Sequence, residues 1–227
     1  MKVLGKAYAK IPHLPGSQID ATDHACAPWQ SAICTAGLRD ERDAIIVTEK
    51  LDGSCVAILR QNGILQPVLR SGALAASSRF EQHHLFHQWV LFHQERFLGL
   101  LRDGERVCGE WLAQAHGTRY QLPHEPFVIF DLFDAQDRHV SHADLRAAVD
   151  KQHLVTPRII SVGPAISVEA VRKLLEPSGH GALDPVEGAV WRVERDGQFD
   201  FLAKWVRPDK VNGLYLGQQV WNWRPEW

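Results

Sequence analysis

Ile45-Ile46-Val47-Thr48-Glu49-Lys50-Leu51-Asp52-Gly53-Ser54-Cys55-Val56-Ala57-Ile58-Leu59-Arg60 decides how this chain is read. A β-branched run, a short charged break with one glycine, and a second apolar run predict two strands joined at Leu51-Asp52-Gly53. Lys50 then falls at a strand end, where neighbouring strands can build a pocket around it. Charged residues beside a glycine also make an ordinary turn, with the Asp52 carboxylate as its cap. The segment Glu49–Ser54 therefore needs support from the rest of the chain.

Working outward, Gln61-Asn62-Gly63 before the apolar run Ile64–Leu69 predicts a hairpin, because both turn residues tolerate positive φ. From Ser78 to Leu101 the apolar residues recur at mostly helical spacing, which predicts one amphipathic helix with Ser78 as its cap. Strands are expected at Arg106–Trp111 and Phe127–Phe133. Shorter helices fit Asp144–Lys151 and Val168–Leu175, the second capped by Ser167. Val186–Val193 and Phe199–Trp205, joined through Arg195-Asp196-Gly197-Gln198, predict a second hairpin. Adjacent hairpins with interspersed helices imply an α+β fold of antiparallel sheets.

The 227 residues, 45% hydrophobic, suffice for one substantial core, and a single domain over 1–227 is expected. Its parts are an N-terminal arm (1–43, with a polar, proline-containing stretch from Ile11 to Asp43), a core (44–205) and a C-terminal tail (206–227). A net charge of −2 and a pI near 6.6 give no global sign of a protein that coats nucleic acid. No apolar run approaches the roughly 20 residues of a membrane span, and Met1–Lys6 lacks the apolar stretch of a signal peptide, so a cytoplasmic location is expected. Cys26, Cys34, Cys55 and Cys108 are scattered, without zinc or disulfide spacing, and read as reduced, mostly buried thiols.

Lys50-Leu51-Asp52-Gly53 resembles the Lys-x-Asp-Gly nucleophile motif of the covalent nucleotidyltransferases, the superfamily of DNA ligases, RNA ligases and capping enzymes. Segments similar to the other motifs follow in the family's order: Arg70-Ser71-Gly72, Gly109-Glu110-Trp111, Phe127–Asp131, Glu187-Gly188-Ala189-Val190 and Leu202-Ala203-Lys204-Trp205. Each falls on an expected strand or strand end. Together they resemble most closely the ATP-dependent RNA ligase 2 branch, whose fold is an adenylyltransferase domain of antiparallel sheets with flanking helices.

The resemblance implies three steps. AMP from ATP is loaded on Lys50, passed to an RNA 5′-phosphate, and displaced by a neighbouring 3′-hydroxyl. Lys50 attacks only when neutral, so its ordinary value near 10.4 has to be lowered by burial and neighbouring cations such as Lys204. Lys204 would also offset charge on the transferred phosphorus. The resemblance makes Glu187, with Glu110, the holder of Mg2+ or Mn2+, and makes Glu110 and Arg70 partners of the ribose. Phe130 would stack on adenine, Glu49 would accept from its amino group, and Asp52 and Gly53 complete the nucleotide site. RNA with 5′-phosphate and 3′-hydroxyl ends is the implied partner, with an end-processing enzyme as a further one. A minimal DNA ligase, a guanylyltransferase and a non-sealing RNA-end binder are the alternatives.

The sequence departs from the branch at two positions. Cys55 stands where an asparagine is usual, and a thiol is a poor substitute for an amide's hydrogen bonds. Val206 stands where a second lysine follows Lys204 by two, with Arg207 or Lys210 as possible replacements. No OB domain is expected in the 22 residues after Trp205. Elsewhere the plainer readings are preferred. His83, His84, His87 and His93 read as a solvated helix face rather than a metal site, Trp221, Trp223 and Trp227 as a docking patch rather than a base-stacking one, and Arg119-Tyr120 as a surface loop rather than an RNA contact.

Overall fold

The computed structural model describes residues 5–225. Two four-stranded antiparallel sheets form the centre, as the hairpin pattern predicts. One has the order β6-β1-β7-β8, from Ile159–Gly163, Asp43–Lys50, Gly188–Arg195 and Gln198–Val206; the other has the order β3-β2-β4-β5, from Ile64–Leu69, Ser54–Gln61, Arg106–Trp111 and Phe127–Phe133. Both expected tight turns form, with Asn62 and Gly63 at φ of 52° and 76°, and Asp196 and Gly197 at 52° and 71°.

Strand alternation sorts the side chains between the two faces. On β7, Ala189, Trp191 and Val193 enter one apolar core together with Ile45 and Val47 of β1, whereas Val190 and Arg192 face a cleft between the sheets. Val56 and Ile58 of β2 enter the other core with Trp111 and Phe127. Helix α2 (Glu81–Phe92) buries Phe86, Trp89 and Val90 in that core, and Trp89 lies 5.6 Å from Trp111 ring to ring. Truncating such an aromatic costs about 3–5 kcal/mol.

The long helix expected over Ser78–Leu101 is broken. Its first segment is capped at Phe80, and Ser78 instead accepts from the Phe80 N–H and meets the His83 ring. The second segment, α3 (Gln94–Leu100), starts after His93, whose φ and ψ of −100° and 24° leave the helical region. Tertiary contacts hold the bend: His93 and Arg96 both pair with Glu125, and Arg96 donates to the Gln152 and His153 carbonyls. Helices α4 (His142–Lys151) and α5 (Val168–Arg172) lie close to their expected spans, with Ser141 and Ser167 as caps.

The N-terminal stretch carries a helix the sequence reading did not foresee, α1 (Pro28–Thr35), with proline at its first position and Ile33 and Cys34 buried against the β1-β7-β8 core. Ahead of it, the Lys204 N–H donates to the Pro12 carbonyl and the Leu14 N–H to the Lys204 carbonyl, which covers the free edge of β8. At the other end Trp221 and Trp223 pack on the core of the β2-β4-β5 sheet. Trp227 lies outside the described residues.

Candidate active site

A cavity of about 400 Å³ opens between the two sheets and is lined by Glu49, Lys50, Asp52, Gly53, Arg70, Glu110, Phe130 and Lys204, eight of the nine site residues expected from the sequence, while the ninth, Glu187, pairs with Lys50. Residues far apart in the chain meet there because β1, β4, β5 and β8 all end or pass beside the cleft. Gly53 turns the chain from β1 into β2 at close quarters. A Cβ at that position would lie 2.4 Å from the Trp111 carbonyl oxygen, so only glycine fits. Its N–H donates to Glu110 Oε1 at 2.9 Å.

Lys50 Nζ donates to Glu187 Oε2 at 2.5 Å and to the Leu51 carbonyl at 3.2 Å. Burial would lower the Lys50 ammonium, but the carboxylates of Glu187, Glu110 and Asp52 outweigh it and hold the group above its ordinary value. The lowering expected for this lysine is therefore not met, because three carboxyl groups surround it. Lys204 is the lysine that is lowered, by its own burial and then by the Lys50 charge. The Glu110 carboxyl is pushed up to about 7 by burial, against the pull of Lys50 and with the push of Glu187.

Asp52 is a buried hub rather than a simple turn cap. Its Oδ2 accepts from the Gly117 N–H at 2.7 Å, its Oδ1 lies 2.9 Å from Lys210 Nζ, and its own N–H donates to the Tyr120 hydroxyl at 3.1 Å. Tyr120 is thus a buried positioning residue, not part of an open surface loop, and Arg119 is paired with Asp184. His83 is likewise not on a solvated face, since its ring nitrogens meet Ser54 Oγ and Ser78 Oγ at 3.1 and 2.7 Å.

Glu49 borders the cavity, but its carboxylate faces away from Lys50, as the adjacent position on a strand must. It accepts from Arg158 Nε, Ser178 Oγ and the Gly179 N–H at 3.1, 2.5 and 2.8 Å. These three donors take up the group expected to receive the adenine amino group. Arg70 is aimed by the N-terminal segment, donating to the Ala9 and Tyr8 carbonyls at 2.9 and 3.4 Å. The Tyr8 ring lies 4.9 Å from that of Phe130, and its hydroxyl donates to Asp131 at 3.0 Å.

Of the two proposed replacements for the missing second lysine, Lys210 enters the site and Arg207 does not. Lys210 is buried against Asp52 and Glu187, whereas Arg207 pairs with the exposed Asp209. Tyr8, Gly117 and Tyr120 carry no local motif that would reveal them.

Glu187, Asp52 and Glu110 supply hard oxygen donors around Lys50. Among the described residues no group of three or more His, Cys, Asp or Glu is arranged to hold a metal by protein ligands alone. The set fits a magnesium-type ion, which is held by one or two carboxylates, water and substrate phosphates.

The model of the RNA ligase family matches residues 43–206, from the first residue of β1 to the last of β8. The chain belongs to the RNA ligase family. Among solved structures, this family member is similar to the Naegleria gruberi RNA ligase with PPi, at 17% identity and a TM-score of 0.54 over 91% of this chain and 60% of that one. A lysine-to-alanine variant of the Naegleria enzyme with ATP and Mn gives 16% identity and a TM-score of 0.53, over 78% and 52%. An archaeal ATP-dependent RNA ligase gives 20% identity and a TM-score of 0.48, over 73% and 43%. The chain spans about half the length of these relatives, and the likeness to the Naegleria structures is one of fold. No curated protein matches it in sequence.

Proposed function

We propose that this RNA ligase family member is an ATP-dependent RNA ligase. The Lys50 amine attacks the α-phosphorus of ATP and pyrophosphate leaves, the AMP then passes to an RNA 5′-phosphate and frees Lys50, and a 3′-hydroxyl displaces the AMP to seal the strand. The observation that carries the reading is the placement of Lys50 Nζ at the wall of a nucleotide-sized cavity, beside Lys204 and among three carboxyl groups. In it Arg70 and Glu110 hold the ribose and Phe130 stacks on the base. Lys204 offsets charge on the phosphorus under attack. Adenine is held by the cavity wall around Phe130, while Glu49 fixes the end of β1 through Arg158, Ser178 and Gly179.

Glu187, with Asp52 or Glu110 beside it, would hold Mg2+ or Mn2+, which supplies charge neutralisation at the phosphates when bound. The chain's own task is to free Lys50 from its proton. The Glu187 and Asp52 charges that keep Lys50 as an ammonium are the charges a bound cation takes over.

The reading treats residues 1–227 as one adenylyltransferase domain whose arm and tail both serve the cleft, working on RNA in the cytoplasm downstream of end-processing enzymes. Four free cysteines accord with a reducing compartment, and no helix among the described residues is long and apolar enough to cross a membrane. Intact-protein mass after incubation with ATP and Mg2+ or Mn2+, beside GTP, NAD and Lys50→Ala, tests it. One AMP, from ATP only and absent in the variant, is expected, followed by sealing of nicked RNA. Absence of an adduct under both metals, in protein not already adenylylated, would leave a non-sealing RNA-end binder.

A further inference from the structure

Lys210 Nζ sits between two carboxylates, 2.9 Å from Asp52 Oδ1 and in direct contact with Glu187 Oε1. The residue is only 7% exposed. Lys50 takes the other oxygen of Glu187, and the Gly117 N–H takes the other oxygen of Asp52. Two ammonium groups and two carboxylates therefore form one chain, Lys50–Glu187–Lys210–Asp52, in which the charges balance.

Lysine is rarely buried this deeply unless it is paired, because removing its charge from water is costly. Local contacts keep it in place. The Lys210 N–H donates to the Arg207 carbonyl at 3.3 Å, and the Tyr215 N–H donates to the His116 carbonyl at 2.8 Å, which clasps the C-terminal segment onto the loop carrying Gly117. That loop packs so closely that a Cβ at Gly117 would lie 3.1 Å from Lys210 Cε.

A cation held between two carboxylate oxygens is the arrangement a hard divalent ion also takes, and a lysine ammonium is a compact point charge able to stand in for one. We propose that Lys210 is a resident counter-ion occupying the divalent-cation position between Asp52 and Glu187 in the nucleotide-free protein, so that the metal enters together with the nucleotide phosphates and not before them. The inference rests on the ATP- and metal-dependent reading above. A bare divalent ion has to evict a buried ammonium that pairs, among the described residues, with Asp52 and Glu187 alone. A metal–nucleotide complex brings phosphate oxygens that receive that ammonium, so the exchange conserves its pairing.

The test is Mn2+ binding to nucleotide-free protein, followed by the electron paramagnetic resonance of free Mn2+, in wild type, Lys210→Met, Lys210→Arg and Arg207→Met. Lys210→Met should bind Mn2+ at least about tenfold more tightly than wild type, equivalent to about 1.4 kcal/mol. Lys210→Arg, which keeps the charge, and Arg207→Met, which lies outside the cluster, should match wild type. If Lys210→Met binds no more tightly than wild type, or if neither binds, the inference is overturned. Should Lys210→Met fail to fold in chelator, Mn2+ should restore its folding and raise its melting temperature well beyond any rise in wild type, and no rescue also overturns it. The AMP adduct of the wild type judges the ligase reading separately. An adduct without a gain in Mn2+ binding sinks only the counter-ion, and a gain without an adduct supports the counter-ion in a protein that does not adenylylate.

Discussion

Lys50 and Glu187 are joined by an ion pair, Nζ to Oε2 at 2.5 Å, at the junction of the two sheets. The pair brings a residue at the end of β1 onto the residue that precedes β7, and it holds Lys50 as an ammonium until something displaces that carboxylate. Glu187 also touches Lys210, so a neutral side chain there loses two charged contacts at once. A hydrogen bond to a charged group contributes about 1.5–3 kcal/mol, which corresponds to roughly tenfold to a hundredfold in rate. Glu187→Gln releases Lys50 from this pair but removes the carboxylate proposed to hold the divalent cation, and with the cation's loss outweighing the release, formation of the AMP adduct is expected to slow by about that factor, read by mass against time with near-UV circular dichroism as a check on folding. An unchanged rate would remove Glu187 from the chemistry.

Cys55 borders the cavity, registered across from Glu110 on β4. Burial, and then the Glu110 charge, raise its thiol, so it is a neutral group with little hydrogen-bonding capacity at physiological pH. Cys55→Asn restores an amide at this point of the cleft. The sealing step should speed up by about tenfold, the worth of one hydrogen bond to a charged group. The measurement is sealing of pre-adenylylated nicked RNA by both proteins. Equal or slower sealing by a folded variant would mean that this wall is already adapted to cysteine.

The fold and most of the cleft were legible because they depend on short-range features. The β-branched runs and the Asn62-Gly63 and Asp196-Gly197 turns are local rules, and the observed strands follow them. Glu49 shows the limit. Its position next to Lys50 was plain, but the reach of Arg158, Ser178 and Gly179 to its carboxylate is settled by chain more than a hundred residues away. The break at His93 and the burial of Tyr120 have the same origin, since contacts with Glu125 and Asp52 override helical periodicity and loop polarity. Lys210 could be suspected from the absence of a lysine at Val206. Its choice over Arg207 follows from how the C-terminal segment folds back onto His116.

Tyr8 tests whether the N-terminal stretch serves the nucleotide. Its ring flanks Phe130, its hydroxyl holds Asp131, and its carbonyl, with that of Ala9, aims Arg70. Tyr8→Ala should weaken ATP binding by about tenfold, the loss of the ring contact with Phe130 and the hydrogen bond to Asp131 beside the proposed base site. Tyr8→Phe keeps the ring and should lose less. Titration calorimetry with ATP on both variants decides, and equal affinities for wild type and Tyr8→Ala would mean that the stretch only covers the edge of β8.

Gly117 has no room for a side chain. A Cβ would stand 2.6 Å from the Val211 carbonyl oxygen, a backbone atom, and 2.7 Å from Asp52 Oδ2, a carboxylate oxygen held in place by the Gly117 N–H while its partner oxygen pairs with Lys210. Gly117→Ala should therefore push the loop off Asp52, break the N–H contact and loosen the C-terminal segment. Overpacking of this kind costs about 1–3 kcal/mol. Urea unfolding should show that loss, and the AMP adduct should form at least about tenfold more slowly. A variant as stable and as fast as wild type would mean that the loop can shift without consequence.

Asp43 anchors the start of β1 far from the cleft, and its stability contribution has a definite pH signature. Its buried carboxylate accepts from the Arg39 backbone and side chain and from Arg195 across the β1–β7 pair. The Arg39 hydrogen bond, against burial and aided by Arg195, lowers it to about 2. The unfolded carboxyl titrates near 3.9, so the stabilisation is complete above that value and is lost as the pH falls toward 2. The arginines are partly open to water, which reduces the gain to about 1–2 kcal/mol. Asp43→Asn should therefore be less stable than wild type by that amount at pH 7 in urea unfolding, and the difference should shrink steadily below pH 4. A gap that stays constant down to the lowest pH at which both proteins fold would assign the loss to geometry at the strand end and not to the charge.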